Sequence, residues 1–215
     1  MKLIEILLEL LYPSRCAFCG RLVKAGENIC RGCVRTLPYT AGNAAQSFEN
    51  IEKCASPLYY EGKVRASLLK YKFSGCAVYS KAYGKLMADC LDEADMFCDM
   101  ITWVPLSKKR LRKRGYDQAR LLAEAVAEEE ELPCVRTLHK LRDTPAQSGM
   151  GNRENRRKNI AGAYEVIPTE ELKEKSILLI DDIVTTGSTL SECAGMLKKA
   201  GAHSVSALTV ARKKV

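Results

Sequence analysis

A mostly parallel α/β sheet flanked by helices, with a small four-cysteine module ahead of it, is the fold that this chain of 215 residues predicts. Three stretches carry the prediction. Ile177–Ile180 is a continuous apolar run, the signature of a strand buried on both faces. It is followed by Asp181-Asp182, then Thr185-Thr186-Gly187-Ser188-Thr189, then helical spacing from Leu190 to Ala200. Ile101–Pro105 (ITWVP) begins a second strand–helix unit, its helix spaced over Gln118–Glu131. Cys16-x2-Cys19 and Cys30-x2-Cys33, ten residues apart, form the third.

Taken in order, residues 3–12 form a short helical stripe with Leu3, Leu7, Leu10 and Leu11 on one side. Glu5 and Glu9 make its polar face acidic, which argues for a packing helix rather than a membrane-surface anchor. No apolar run approaches the ~20 residues needed to span a bilayer, and the opening lacks the pattern of a signal peptide. A cytoplasmic protein is expected.

The two cysteine pairs supply four soft thiolates suited to tetrahedral Zn²⁺. Gly20 and Gly32 stand where tight knuckles need a free backbone. A redox dithiol pair and an iron–sulfur cluster are the alternatives. With four cysteine ligands no coordination position stays open, so the metal is read as structural. Cys54, Cys76, Cys90, Cys98, Cys134 and Cys193 are scattered, the pattern of reduced buried thiols.

The expected organisation is a helix and zinc module over 1–38, a linker over 39–50 and the α/β domain over 51–215. Within that domain, 55–62 reads as a strand with a turn, 64–73 as a helix and 77–98 as a longer helix. Lys70 and Lys72 read as solvated helix positions. Positions 108–114 hold six basic residues and read as a basic loop after the ITWVP strand. CVRTLHK, 163–167 and 204–211 read as further strands, and 212–214 as a basic tail. Residues 142–160 are polar, basic and irregular: a mobile lid over a charged substrate, or a loop without a role. His139 and His203 sit in unrelated contexts and are read as structural or exposed.

The chemistry of the Ile177–Leu190 stretch follows from its order. Ligands in open α/β sheets bind outside the carboxyl ends of the strands. A glycine-containing loop entering a helix presents free N–H groups to phosphate, and the Thr and Ser hydroxyls add donors. The adjacent carboxylates can accept hydrogen bonds from a diol or hold Mg²⁺ through water. Phosphate at one end and a diol at the other describe a ribose 5-phosphate. The basic stretch meets the need of a pyrophosphate leaving group, whose charge develops on the departing oxygen. Read otherwise, it is a nucleic-acid-binding run. A net charge of +8 favours polyanions without choosing among them.

ILLIDDIVTTGST resembles the phosphoribosyl pyrophosphate (PRPP) motif of type I phosphoribosyltransferases; no Gly-Lys-Ser/Thr follows, so it is not a Walker A loop. The resemblance implies that Asp181 and Asp182 hold the ribose hydroxyls at the reacting centre. Thr185, Thr186, Gly187, Ser188 and Thr189 would wrap the 5-phosphate. Lys108, Lys109, Arg110 and Arg114 would face the pyrophosphate, with Arg156 closing from the loop and Mg²⁺ accompanying PRPP.

The order of the cysteine pairs, VPLSKKRLRKRGYDQAR, a Gln147-containing loop and the PRPP-like motif resembles the ComF family over nearly the whole chain. Arg114-Gly115, Gln118, Gln147, Arg156 and Asn159 fit its pattern. Asp117 departs from it, standing where Asn is usual. The family implies a phosphoribosyltransferase fold, a phosphoribosyl ligand and a connection with DNA uptake and natural transformation. Glutamine-dependent amide transfer is not expected, because no cysteine nucleophile opens the chain. Three readings follow. The first is an Mg²⁺-dependent phosphoribosyltransferase. The second is a protein that binds single-stranded DNA through 108–114 and 153–158 without catalysis. The third is an adaptor docking a DNA-uptake helicase through its zinc module. Tyr116 and Tyr164 are the only aromatics interleaved with the basic stretches.

Overall fold

The computed structural model describes residues 13–40, 45–143, 160 and 162–214. The stripe at 3–12 and most of the loop at 142–160, with Gln147, Arg156 and Asn159, lie outside them.

The main sheet is built on β7 (Ser176–Val184), whose continuous apolar run is explained by its neighbours. It pairs in parallel with β8 (Ser204–Arg212) on one side and β4 (Met100–Trp103) on the other. Beyond β8 come β2 (Ile51–Ala55) and β3 (Leu58–Tyr59), both parallel to it, and β1 (Gln46–Phe48), antiparallel to β2. Thus Gln46–Phe48, inside the 39–50 stretch, is an edge strand of the sheet.

Strand alternation sorts β7 between two cores. Leu178 and Ile180 join α2 (Gly62–Phe73), α3 (Tyr79–Glu93) and α5 (Gln118–Glu130) in one core. Ile177 and Leu179 face α6 (Ser188–Lys199) and the hairpin of β5 (Leu138–Lys140) and β6 (Tyr164–Val166) in the other. The helices that follow β4 and β7 therefore cover opposite faces, which opens a crevice at the carboxyl ends of these two neighbouring strands.

Three sequence expectations change. CVRTLHK is not a strand of the main sheet: Cys134 makes one bridge to Ile101, and only Leu138–Lys140 pairs, antiparallel, with β6. The basic stretch is not a loop but a helix, α4 (Lys108–Arg114), whose N-cap Ser107 hydroxyl accepts from the Arg110 amide. The Asp pair does not follow the strand but lies within it, because β7 continues to pair with β8 through Val184↔Arg212.

The cysteine module packs into the first core. Cys16, Phe18 and Cys33 are buried there, Phe18 meets Tyr83 edge to face at 5.8 Å, and the Ser67 hydroxyl donates to the Ala17 carbonyl. α1 (Arg31–Thr36) completes the module. Among the described residues, no helix is long and apolar enough to cross a membrane.

Candidate functional site

The four sulfurs of Cys16, Cys19, Cys30 and Cys33 lie within 4.8 Å of one another, with Cys19 and Cys30 3.6 Å apart. Zinc at ~2.3 Å from each sulfur sets tetrahedral S···S edges near ~3.8 Å, so the cluster fits Zn²⁺. Gly20, at φ +74°, turns the first knuckle, while Gly32 is helical and needs no such freedom. In the second knuckle the Cys33 amide donates to the Cys30 sulfur at 3.4 Å. The thiols also need a cation electrostatically. Burial opposes a Cys16 thiolate, yet the amides of Cys30, Cys19 and Phe18 outweigh it and hold the pKa down to about 7. Burial and the neighbouring sulfurs drive Cys33 the other way, well above the ordinary thiol range. Four thiolates in one place therefore require the metal. The remaining six cysteines are unbridged thiols, as the scattered spacing implied.

At the far end of β7 the two aspartates part company. Asp181 continues the Ile177–Leu179 face and Asp182 the Leu178–Ile180 face. Asp182 is buried; its Oδ2 accepts from Lys72 Nζ at 2.8 Å and from Gln118 Nε2 at 3.3 Å. Lys72, which sequence assigned to solvent, is thus the direct counter-ion of the second aspartate. Asp181 Oδ1 accepts from the Asp182 amide at 2.8 Å. Burial, with Asp182 beside it, pushes the Asp181 carboxyl up to about 7.

Lys140 is the other residue that sequence reading passed over. It is buried on the hairpin, its Nζ donating to Tyr164 Oη at 2.9 Å, on the face that holds Asp181. Burial, then Arg110, lowers its affinity for a proton; Asp181 works in the opposite direction. Arg110 Nε lies 3.2 Å from Asp143, which also accepts from the Ser107 hydroxyl at 2.7 Å. Lys108 and Lys109 are exposed. Arg114 leaves this group: it lies over the Phe73 ring and feels the Asp182 charge. Helix α4 therefore presents one end to each face of the crevice.

The loop that closes the site enters α6 at Gly187, in the left-handed region at φ +72°. Thr186 and Ser188 hydroxyls lie 2.9 Å apart, and the N-cap of α6, Gly187, brings no side chain of its own, so the first-turn N–H groups offer their positive field to an anion. Asp117, which stands where Asn is usual, is held by backbone amides. Its Oδ2 accepts from the Leu106 amide at 3.0 Å and its Oδ1 from the Arg120 amide at 3.4 Å. It is the N-cap of α5, turned into the backbone rather than toward α4. A groove of about 570 Å³ lies between the module and α3, and none of the β7-end residues line it.

Asp181 also makes stability depend on pH. Its folded pKa is raised, so its contribution is intact near pH 4 and is lost as pH rises through about 7. Asn keeps the acceptor for the Asp182 amide and removes the charge. Asp181→Asn is expected to leave the melting temperature unchanged near pH 4. Its gain then grows up to pH 7 and stays level above, worth on the order of a few kcal/mol. Thermal melts between pH 4 and 8 check this; a gain independent of pH would contradict it.

Comparison with known proteins agrees with this architecture. A family model described as a phosphoribosyl transferase domain matches residues 113–215, and one described as a double zinc ribbon domain matches residues 7–64. The fold and the cysteine cluster thus define a phosphoribosyltransferase-like protein with an N-terminal zinc ribbon. The chain is 25% identical to Competence protein F of Haemophilus influenzae, across 94% of this chain and 98% of that one. It is 27% identical to DNA utilization protein YhgH of Salmonella typhimurium (88% and 86% covered) and to Competence protein ComFC of Streptococcus pneumoniae (88% and 83%). Over most of its length the chain is thus similar to competence and DNA-utilization proteins, which supports a ComF-family, phosphoribosyltransferase-like protein.

Proposed function

We propose that the chain binds PRPP or a related phosphoribosyl ligand and serves in the handling of DNA during uptake. The observation that carries the ligand is the crevice itself. Asp181 and Asp182 stand at the end of β7, the α6 N-terminus closes one side, and six basic residues of α4 lie after the neighbouring strand. The 5-phosphate sits at Thr185–Thr189 and the ribose hydroxyls at the aspartates. Lys108, Lys109 and Arg110 face the pyrophosphate, with Arg156 contributing from its loop. Asp181 and Asp182 would hold Mg²⁺ through water, where it would offset the pyrophosphate charge. Burial, with Asp182 beside it, raises the Asp181 carboxyl to about 7, so a cation bound there would favour the ionised pair.

Type I transfer needs positioning and leaving-group electrostatics more than a strong base. Residues for both are present: Lys72 and Gln118 fix Asp182, while Lys140 and Arg110 bring positive charge to the Asp181 face. The ribbon holds structural zinc and braces α2 and α3. The domain division 1–38, 39–50 and 51–215 is kept as a working partition, and the cytoplasm as the working compartment. The names of the relatives, competence and DNA utilization, support the DNA role.

A second reading, single-stranded DNA binding without catalysis, is favoured by α4, which carries its charge with no buried residue. Its mark is affinity that falls steeply with salt, about −0.7 in log–log slope per phosphate neutralised. Docking of a helicase on the ribbon is left to pull-downs with Cys16 and Cys19 replaced. The primary reading is tested by PRPP with Mg²⁺: it should raise the melting temperature of the wild type and not that of Asp181→Asn/Asp182→Asn.

A further inference from the structure

We infer that Phe73 and Arg114 form a stacking subsite for an unpaired base of single-stranded nucleic acid, at the rim of the β7 crevice. This deepens the DNA reading above and rests on it. Phe73 ends α2 with 65% of its surface exposed, a costly position for a phenyl ring that could be turned into the core. One face of the ring is occupied: the Arg114 guanidinium carbon lies 5.0 Å from its centroid. The adjacent residue, Lys72, bonds Asp182, which anchors the end of α2 beside the crevice.

Among the described residues two buried polar atoms lack a partner: Nη1 of the Arg114 that covers this ring, and Oε1 of Gln118, which donates to Asp182. The open face of the ring offers a nucleobase a π surface, backed by the Arg114 cation on its other side. The surroundings choose the polymer. Six cationic side chains of α4, with exposed Lys70 on α2, suit a phosphate backbone running past the ring. Phe97 is still more exposed, at 81%, but stands among Asp95, Asp99 and Glu93, where a polyanion is repelled.

The test is equilibrium binding of full-length, zinc-loaded protein to oligo(dT) and to an abasic oligonucleotide of equal length at several salt concentrations. Phe73→Ala should weaken oligo(dT) binding about 5- to 100-fold and leave abasic binding and the salt slope unchanged. Phe73→Trp should restore it, with fluorescence of the new indole quenched on binding. A melting temperature equal to the wild type confirms that the Ala variant is folded. If the wild type binds neither oligonucleotide at low salt, the DNA reading itself fails. If it binds oligo(dT) and Phe73→Ala binds it equally, that reading stands and the subsite is overturned. Displacement of oligo(dT) by free nucleobase with PRPP and Mg²⁺ would also overturn it, by making this an acceptor site.

Discussion

Gly187→Ala should lower stability by about 2–4 kcal/mol and remove phosphoribosyl binding with it. Two costs combine. At φ +72° any residue with a Cβ pays roughly 1–2 kcal/mol for the left-handed region. The new Cβ would also stand 2.3 Å from the Phe48 ring, and such overpacking costs ~1–3 kcal/mol. The clash includes Phe48 Cγ at 2.5 Å, so relief needs the whole ring to move on a strand whose backbone is paired with β2. Adding Phe48→Ala should recover the clash and not the backbone strain, so the double variant regains part of the loss. Thermal melts of the three variants measure both parts. A Gly187→Ala protein within 1 kcal/mol of the wild type would contradict the loop geometry.

Loss of the metal is the second large effect. Cys16 and Cys33 share a core cluster with Phe18, Tyr83, Trp103 and Leu208, so the ribbon is not a detachable bead. The wild type should carry one zinc ion per chain, and Cys16→Ser/Cys19→Ser should lose it. It should also lower the melting temperature by about 10 °C or more, since metal binding here is folding free energy. Trp103, the only tryptophan, should report the loosened core by a red-shifted emission. A strong chelator should reproduce the effect in the wild type. Unchanged melting after complete metal removal would contradict the structural role.

How much of this was legible depends on where the deciding partner lies. The apolar run Ile177–Ile180 needs no distant partner to be read as a buried strand, and the cysteine spacing encodes its own geometry. The end of β7 was misplaced because two charges look like a terminus. They are tolerated inside the strand because their side chains face the crevice while the backbone stays paired with β8. α4 was masked by its charge, although Ser107 before it and Gly115 after it, at φ +82°, are ordinary helix-ending signals. Asp117 immediately before a helical pattern carried the same N-cap signal. Nothing local marks Lys72 or Lys140, because their roles come from Asp182 and from the β5–β6 pairing, both remote in sequence.

The most direct measurement is calorimetric titration of the zinc-loaded protein with PRPP and Mg²⁺, beside the Asp181→Asn/Asp182→Asn variant. Saturable 1:1 binding by the wild type, lost in a variant whose cooperative melt shows that it is folded, is the predicted result. No binding by the folded wild type, or equal binding by the variant, would contradict a phosphoribosyl site at the end of β7.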